Sequence, residues 1–200
     1  LGYILTIGSL LLPMGRLSDM IGRKRVYVTG FAVFVLGAVL AGSSTTLLGL
    51  ILFKIFQGVG GAMIQANGMA IVTSTFSPTE RGKIIGLFIT VVGMGAIAGP
   101  VLGGVVVSLL DWRYVFFTVA PLGVLSMVAA LIVLEDRPAT GAGQTDRRPG
   151  FDWLGAVLFA TAIVVFLLVM TNAYRVGWGS PLVVAACVGV AALVVFFLWW

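Results

Sequence analysis

Seven stretches of this chain are almost free of charge, and six of them are long enough to cross a lipid bilayer. They run over about 1–14, 26–42, 47–75, 84–110, 114–134, 153–173 and 181–200. A helix crosses a hydrocarbon core of about 30 Å with roughly 20 apolar residues. The first stretch is shorter. It reads either as the second half of a helix or as a helix continuing through Gly15 toward Ser18. None of the stretches alternates polar and apolar residues, so strands are not expected. The composition agrees: 60% of the 200 residues are hydrophobic and 10% are charged, against about 25% charged in soluble domains. A soluble fold of this length has too little interior to hide that much apolar surface. A soluble globular domain, a disordered tail and a disulfide scaffold are excluded. An all-α integral membrane chain of about seven transmembrane helices is expected.

The charges fall between the stretches, and they alternate. The first connection carries Arg16, Arg23, Lys24 and Arg25, the third Arg81 and Lys83, and the fifth Arg137, Arg147 and Arg148. The even connections hold Arg113 and Arg175. Basic residues are retained on the cytoplasmic side. The connections 15–25, 76–83 and 135–152 are therefore expected in the cytoplasm, and the net charge of +5 reads as membrane orientation, with no nucleic-acid partner. The fifth connection, rich in Pro, Gly and charge, is the expected linker, separating 1–134 from 153–200.

With no histidine and one cysteine, Cys187, the chain has no His-based acid–base or metal chemistry, and no cofactor or metal is expected. An enzyme is not expected. The chain starts at Leu1 inside one apolar run and closes on Trp199 and Trp200 in another, so a fragment of a longer protein is expected.

The first basic connection reads Gly15-Arg16-Leu17-Ser18-Asp19-Met20-Ile21-Gly22-Arg23-Lys24-Arg25. Orientation alone accounts for the Arg and Lys, but not for Asp19 or for two glycines seven apart. The stretch resembles the loop between spans two and three of the major facilitator superfamily, G-x-L-[SA]-D-x-x-G-[RK]-[RK], at every defined position. The resemblance implies that the chain begins in span two, and that 1–134 is most of an N-terminal six-span half. It implies a latch made by Gly15, Arg16, Asp19, Gly22, Arg23 and Lys24. The glycines permit a tight turn. Asp19 suits a helix N-terminus in the other half. Arg23 can pair with Asp19 or with Glu80.

The fourth stretch carries Gly86, Gly95, Gly99, Pro100, Gly103 and Gly104. Gly95, Gly99 and Gly103 are four apart and line one helix face, where another backbone can approach. Pro100 removes an amide and introduces a soft point. Small-residue packing is the plain explanation. The full pattern G-x8-G-x3-G-P-x2-G-G also resembles the superfamily's antiporter motif, which implies a proton-coupled exporter.

In the third stretch Lys54, Gln57, Gly58, Gly61, Gln65 and Gly68 fall on one helix face. A lysine at membrane depth costs roughly 2.5–3.5 kcal/mol on insertion scales, so it should face the bundle interior or a wet cavity. It is either a structural lysine paired with a carboxylate on span one or, with Gln57 and Gln65, part of the substrate and proton pathway. The stretch resembles the family motif R-x-x-Q-G-x-G-[GA], with Lys54 in place of arginine. Lysine keeps the charge but loses the planar fork.

Trp112-Arg113-Tyr114, Phe116, Pro121 and Gly123 are explained largely as aromatic anchors at the headgroup level. They also resemble a pattern of the fourteen-span drug exporters, with Val119 where that pattern has Asn. Phe151-Asp152-Trp153 and Gly177-Trp178-Gly179 then resemble spans seven and eight, the two extra spans of that branch.

Together the resemblances imply a proton-coupled transporter that exports small lipophilic or cationic compounds by alternating access. An exporter of one metabolite or antibiotic, or an importer, is the alternative. Its partners would be a small-molecule substrate, protons, the bilayer, and a span one and C-terminal half belonging to the same chain. All seven acids lie in or beside connections, so the proton-carrying carboxylate is expected outside these residues.

Overall fold

The computed structural model describes residues 1–135 and 151–199. The expected linker falls largely outside the described residues, with Asp136, Arg137, Asp146, Arg147 and Arg148, as does Trp200. Seven helices follow one another: α1 (Gly2–Ile21), α2 (Arg23–Gly42), α3 (Leu47–Thr75), α4 (Arg81–Leu109), α5 (Arg113–Val133), α6 (Trp153–Val176) and α7 (Pro181–Trp199). No strand occurs among the described residues. All seven helices are long and apolar enough to cross a membrane. They match the seven apolar stretches to within a few residues, and the first continues through Gly15 as far as Ile21.

Local chemistry sets the ends. Thr46 caps α3 by accepting the amide of Gly49 at 3.1 Å, and Asp152 caps α6 by accepting the amide of Gly155 at 2.8 Å. Pro181 opens α7, where its missing amide costs nothing. Gly22 (φ 107°) and Gly177 (φ 92°) end α1 and α6 in conformations that a side chain disfavours.

The connection expected over 15–25, with a tight turn permitted by Gly15 and Gly22, narrows to Gly22 alone. It is the one non-helical residue between α1 and α2. Gly15 sits inside α1, its carbonyl accepting the Ser18 hydroxyl at 2.6 Å. A single glycine at positive φ reverses the chain here, so the motif's remaining residues stay in helix ends.

Helix α3 packs against α1 and α2, α2 also packs on α5, and α6 packs on α7 and α1. The buried residues are mostly small: Ala38, Ala41, Ala62, Ala120, Ala130, Ala162 and Ala173. Large aliphatics such as Leu12, Leu52, Ile97, Leu125 and Ile132 face outward. Lipid tails are as apolar as leucine, so helices associate in a membrane through close contacts between small residues. The closest approaches to another helix's backbone join α2 to α3. A Cβ built on Gly60 would lie 2.5 Å from the Phe34 amide nitrogen and 2.6 Å from the Gly30 carbonyl oxygen. One built on Gly37 would lie 2.7 Å from the Gln57 Cα. Helix α4 touches α3 and α5 only slightly and buries none of its residues.

Candidate functional site

Lys54 projects into the bundle and not toward lipid. Its Nζ donates to Gln57 Oε1 at 2.8 Å. It lies 4.5 Å from the centre of the Phe116 ring of α5 and 5.2 Å from that of the Tyr3 ring of α1. Each ring face attracts the cation by about 0.5–2 kcal/mol, more as water is excluded. Gln57 is 3% exposed, and its backbone is held against Gly37. Three helices thus fix one ammonium group. Tyr3 and Phe116 were not legible as its neighbours, because aromatic residues near helix ends are common in any membrane protein.

The rest of the expected face divides. A Cβ on Gly58 would meet Thr6 and the Tyr3 carbonyl, and one on Gly61 would meet Ile7 and the Tyr3 hydroxyl, so both glycines serve the α1–α3 contact. Gly68 faces the Phe88 ring of α4 at an ordinary distance. Gln65 is exposed and lies about 16 Å along the axis from Lys54. The structure brings Lys54 and Gln57 together and leaves Gln65 apart.

At the end of the bundle where α1 meets α2, Arg23 donates to Asp19 Oδ1 from Nε at 3.1 Å and from Nη2 at 3.0 Å. Its Nη1 reaches the Ala70 carbonyl at 3.2 Å. Of the two acids open to Arg23, the structure selects Asp19, while Glu80 accepts the Ser77 hydroxyl at 2.7 Å. The pair is half exposed and adds at most about 1 kcal/mol. What matters is the geometry: one guanidinium joins the ends of α1, α2 and α3. Arg16 is exposed and Lys24 partly buried beside this joint.

The glycines of α4 stand differently. A Cβ on Gly86, Gly95, Gly99, Gly103 or Gly104 would meet nothing within 4 Å among the described residues, and Pro100 lies within the helix. At the opposite end, Arg113 of α5 donates to the Ser44 carbonyl at 3.3 Å and lies 4.6 Å over the Trp112 ring. Phe117 abuts Gly42. The Trp-Arg pattern thereby stitches α5 to the end of α2.

Two features escaped the sequence. Gly30 and Gly37, seven apart on α2, form the seam with α3, and their spacing was the available signal. Asn67 is fully buried. Its Nδ2 donates to the Met63 carbonyl at 2.7 Å, and its Oδ1 has no partner among the described residues. No pattern in the sequence marked it.

The geometry defines a multi-pass membrane protein of the cell membrane, with a cation held inside its helix bundle and a bridged joint at one end. The chain belongs to the Major Facilitator Superfamily, a family of transporters, whose profile matches residues 1–200. It is 32% identical over 98% of its length to a riboflavin transporter of Clostridioides difficile, covering 40% of that protein. It is 32% identical over 90% of its length to a tetracenomycin C resistance and export protein of Streptomyces glaucescens, covering 32%. It is 34% identical over 98% of its length to a puromycin resistance protein of Streptomyces alboniger, covering 38%. The chain therefore spans about a third to two fifths of these relatives.

Proposed function

We propose that the protein is a secondary active transporter that exports small lipophilic or cationic compounds in exchange for protons, by alternating access. The observation that carries this reading is Lys54. A charge at membrane depth is costly, yet here it is held by Gln57 between two ring faces inside the bundle. Relatives described as resistance and export proteins support the direction of transport. In this reading 1–134 is most of one six-span half, 153–200 supplies two further spans, and the α1–α2 joint faces the cytoplasm. Lys54 and Gln57 line the pathway, with Gln65 farther along it. Gly86, Gly95, Gly99, Pro100, Gly103 and Gly104 of α4 form a hinge and seal against the other half.

The test is dye efflux from proteoliposomes under an imposed proton gradient, with a pH-sensitive dye inside. Efflux that acidifies the lumen as cargo leaves supports the reading, and efflux indifferent to the gradient refutes coupling. A second reading, a carrier for one metabolite, is favoured by the riboflavin transporter. Selective competition by riboflavin alone would decide for it.

The joint gives its own prediction. Asp19→Asn keeps an acceptor for Arg23 but removes the charge that holds both guanidinium nitrogens. Transport is expected to slow several-fold while substrate affinity stays unchanged. Lost affinity with normal turnover would exclude a latch.

A further inference from the structure

Lys54 has more donors than the bundle uses. An ammonium carries three N–H groups and accepts nothing. One goes to Gln57 Oε1 at 2.8 Å, its one hydrogen bond to a described residue. The Phe116 and Tyr3 ring faces, at 4.5 and 5.2 Å, attract the charge but are not oxygen acceptors. No carboxylate among the described residues pairs with it: the ion pairs there are Arg23–Asp19 and Arg113–Asp111, at helix ends. The Tyr3 hydroxyl, level with Gly61, also donates to no described residue.

The ammonium is within reach of a ligand. Lys54, Tyr3 and Phe116 are each partly exposed, so a molecule can approach from the open side. Like charges a few ångströms apart repel, and away from bulk water neither the dielectric nor salt screens them well. A cationic group is turned away from this point. An anionic oxygen is drawn to it and takes up the spare N–H groups in short charge-assisted hydrogen bonds.

The surroundings select the scaffold that carries the anion. A small inorganic anion would give up its hydration to a largely apolar bundle. An aromatic acid gives up less, because most of its surface is apolar. The Tyr3 and Phe116 faces are turned to the ammonium, and ring edges are the positive part of the quadrupole, so an incoming ring packs against them edge to face.

We propose that Lys54 binds a negative charge on the cargo, so that the protein prefers aromatic organic acids to aromatic cations. The inference rests on the transport reading above and narrows it: of lipophilic and cationic compounds, Lys54 favours lipophilic ones that bear an acidic group.

The test uses three pyrene probes with the same ring and chain: pyrenebutyrate, pyrenebutanol and pyrenebutyl-trimethylammonium. Their binding to the full-length protein in phosphatidylcholine nanodiscs is read by energy transfer from tryptophan, with empty nanodiscs subtracted. The butyrate is expected to bind at least about tenfold tighter than the trimethylammonium probe, the worth of one charge-assisted hydrogen bond, with the alcohol between them. Lys54→Ala should weaken the butyrate and tighten the trimethylammonium probe, bringing the two within about twofold. A purely structural lysine would weaken all three alike. Lys54→Arg should keep the order. If the alanine variant does not fold, the order in the unaltered protein and in Lys54→Arg decides. Equal binding of the three probes, tighter binding of the cation, or an acid preference that survives Lys54→Ala would overturn the proposal. Equal binding together with gradient-driven dye efflux would overturn it and leave the transport reading standing. Acid preference lost in Lys54→Ala, with no gradient-driven efflux, would support the anion site and refute proton coupling.

Discussion

Replacing Lys54 with alanine is expected to lower proton-coupled export at least tenfold while the protein still reaches the membrane. The ammonium is the only charge described at this depth of α3, and it meets α1 through Tyr3 and α5 through Phe116. Removing it leaves Gln57 Oε1 without its donor, at a cost of about 1–3 kcal/mol for a buried acceptor. That is a fraction of a helical bundle's packing, so folding survives. Lys54→Arg restores the charge and both ring contacts and is expected to keep much of the transport. The measurement is the ratio of protons moved to cargo moved in proteoliposomes. An alanine variant that couples normally would remove Lys54 from the mechanism.

Gly60 carries the second large effect. A helix interior gains about 0.5–1 kcal/mol when glycine becomes alanine, because the unfolded chain loses freedom. At Gly60 that gain is reversed. The new Cβ would fall 2.5 Å from the Phe34 amide nitrogen and 2.6 Å from the Gly30 carbonyl oxygen. Both are backbone atoms, which cannot swing aside as a side chain does. Helices α2 and α3 must then separate along their seam. Gly60→Ala is expected to lower the melting temperature of the detergent-solubilised protein, and Gly60→Leu to abolish the folded monomer. Gly68→Ala is the control. Its Cβ would sit 3.5 Å from the Phe88 ring, so its stability should be unchanged or slightly raised. Equal behaviour at the two sites would contradict the seam.

Why the helices were legible and their pairings were not follows from what the bilayer demands. Each spanning backbone must satisfy its own hydrogen bonds, so long uncharged stretches became helices almost residue for residue. Thr46 and Asp152 were caps that composition alone did not single out, yet they shifted no boundary. Pairing depends instead on which small residues meet. The glycines of α4 were the most conspicuous in the sequence, and a Cβ on any of those in the motif would meet nothing described within 4 Å. Gly30, Gly37 and Gly60 were less conspicuous and make the close backbone seam between α2 and α3. Within the site, Lys54 and Gln57 share a helical turn, so their meeting could be read from spacing. The aromatic rings beside them come from helices about 50 residues before and 60 after, a separation that no local pattern encodes. Gln65 shares the helical face but sits three turns away, and axial distance separated it from Lys54.

Helix α3 has 29 residues and is therefore a rod of about 43 Å. Arg23 grips it near one end, at the Ala70 carbonyl, and Lys54 sits toward the other. A stiff rod pivoting at its midpoint by ten degrees carries its tips about 4 Å in opposite directions. In the proposed alternating access, widening at one mouth would thereby be constriction at the other, as in a seesaw, with no relay of side chains in between.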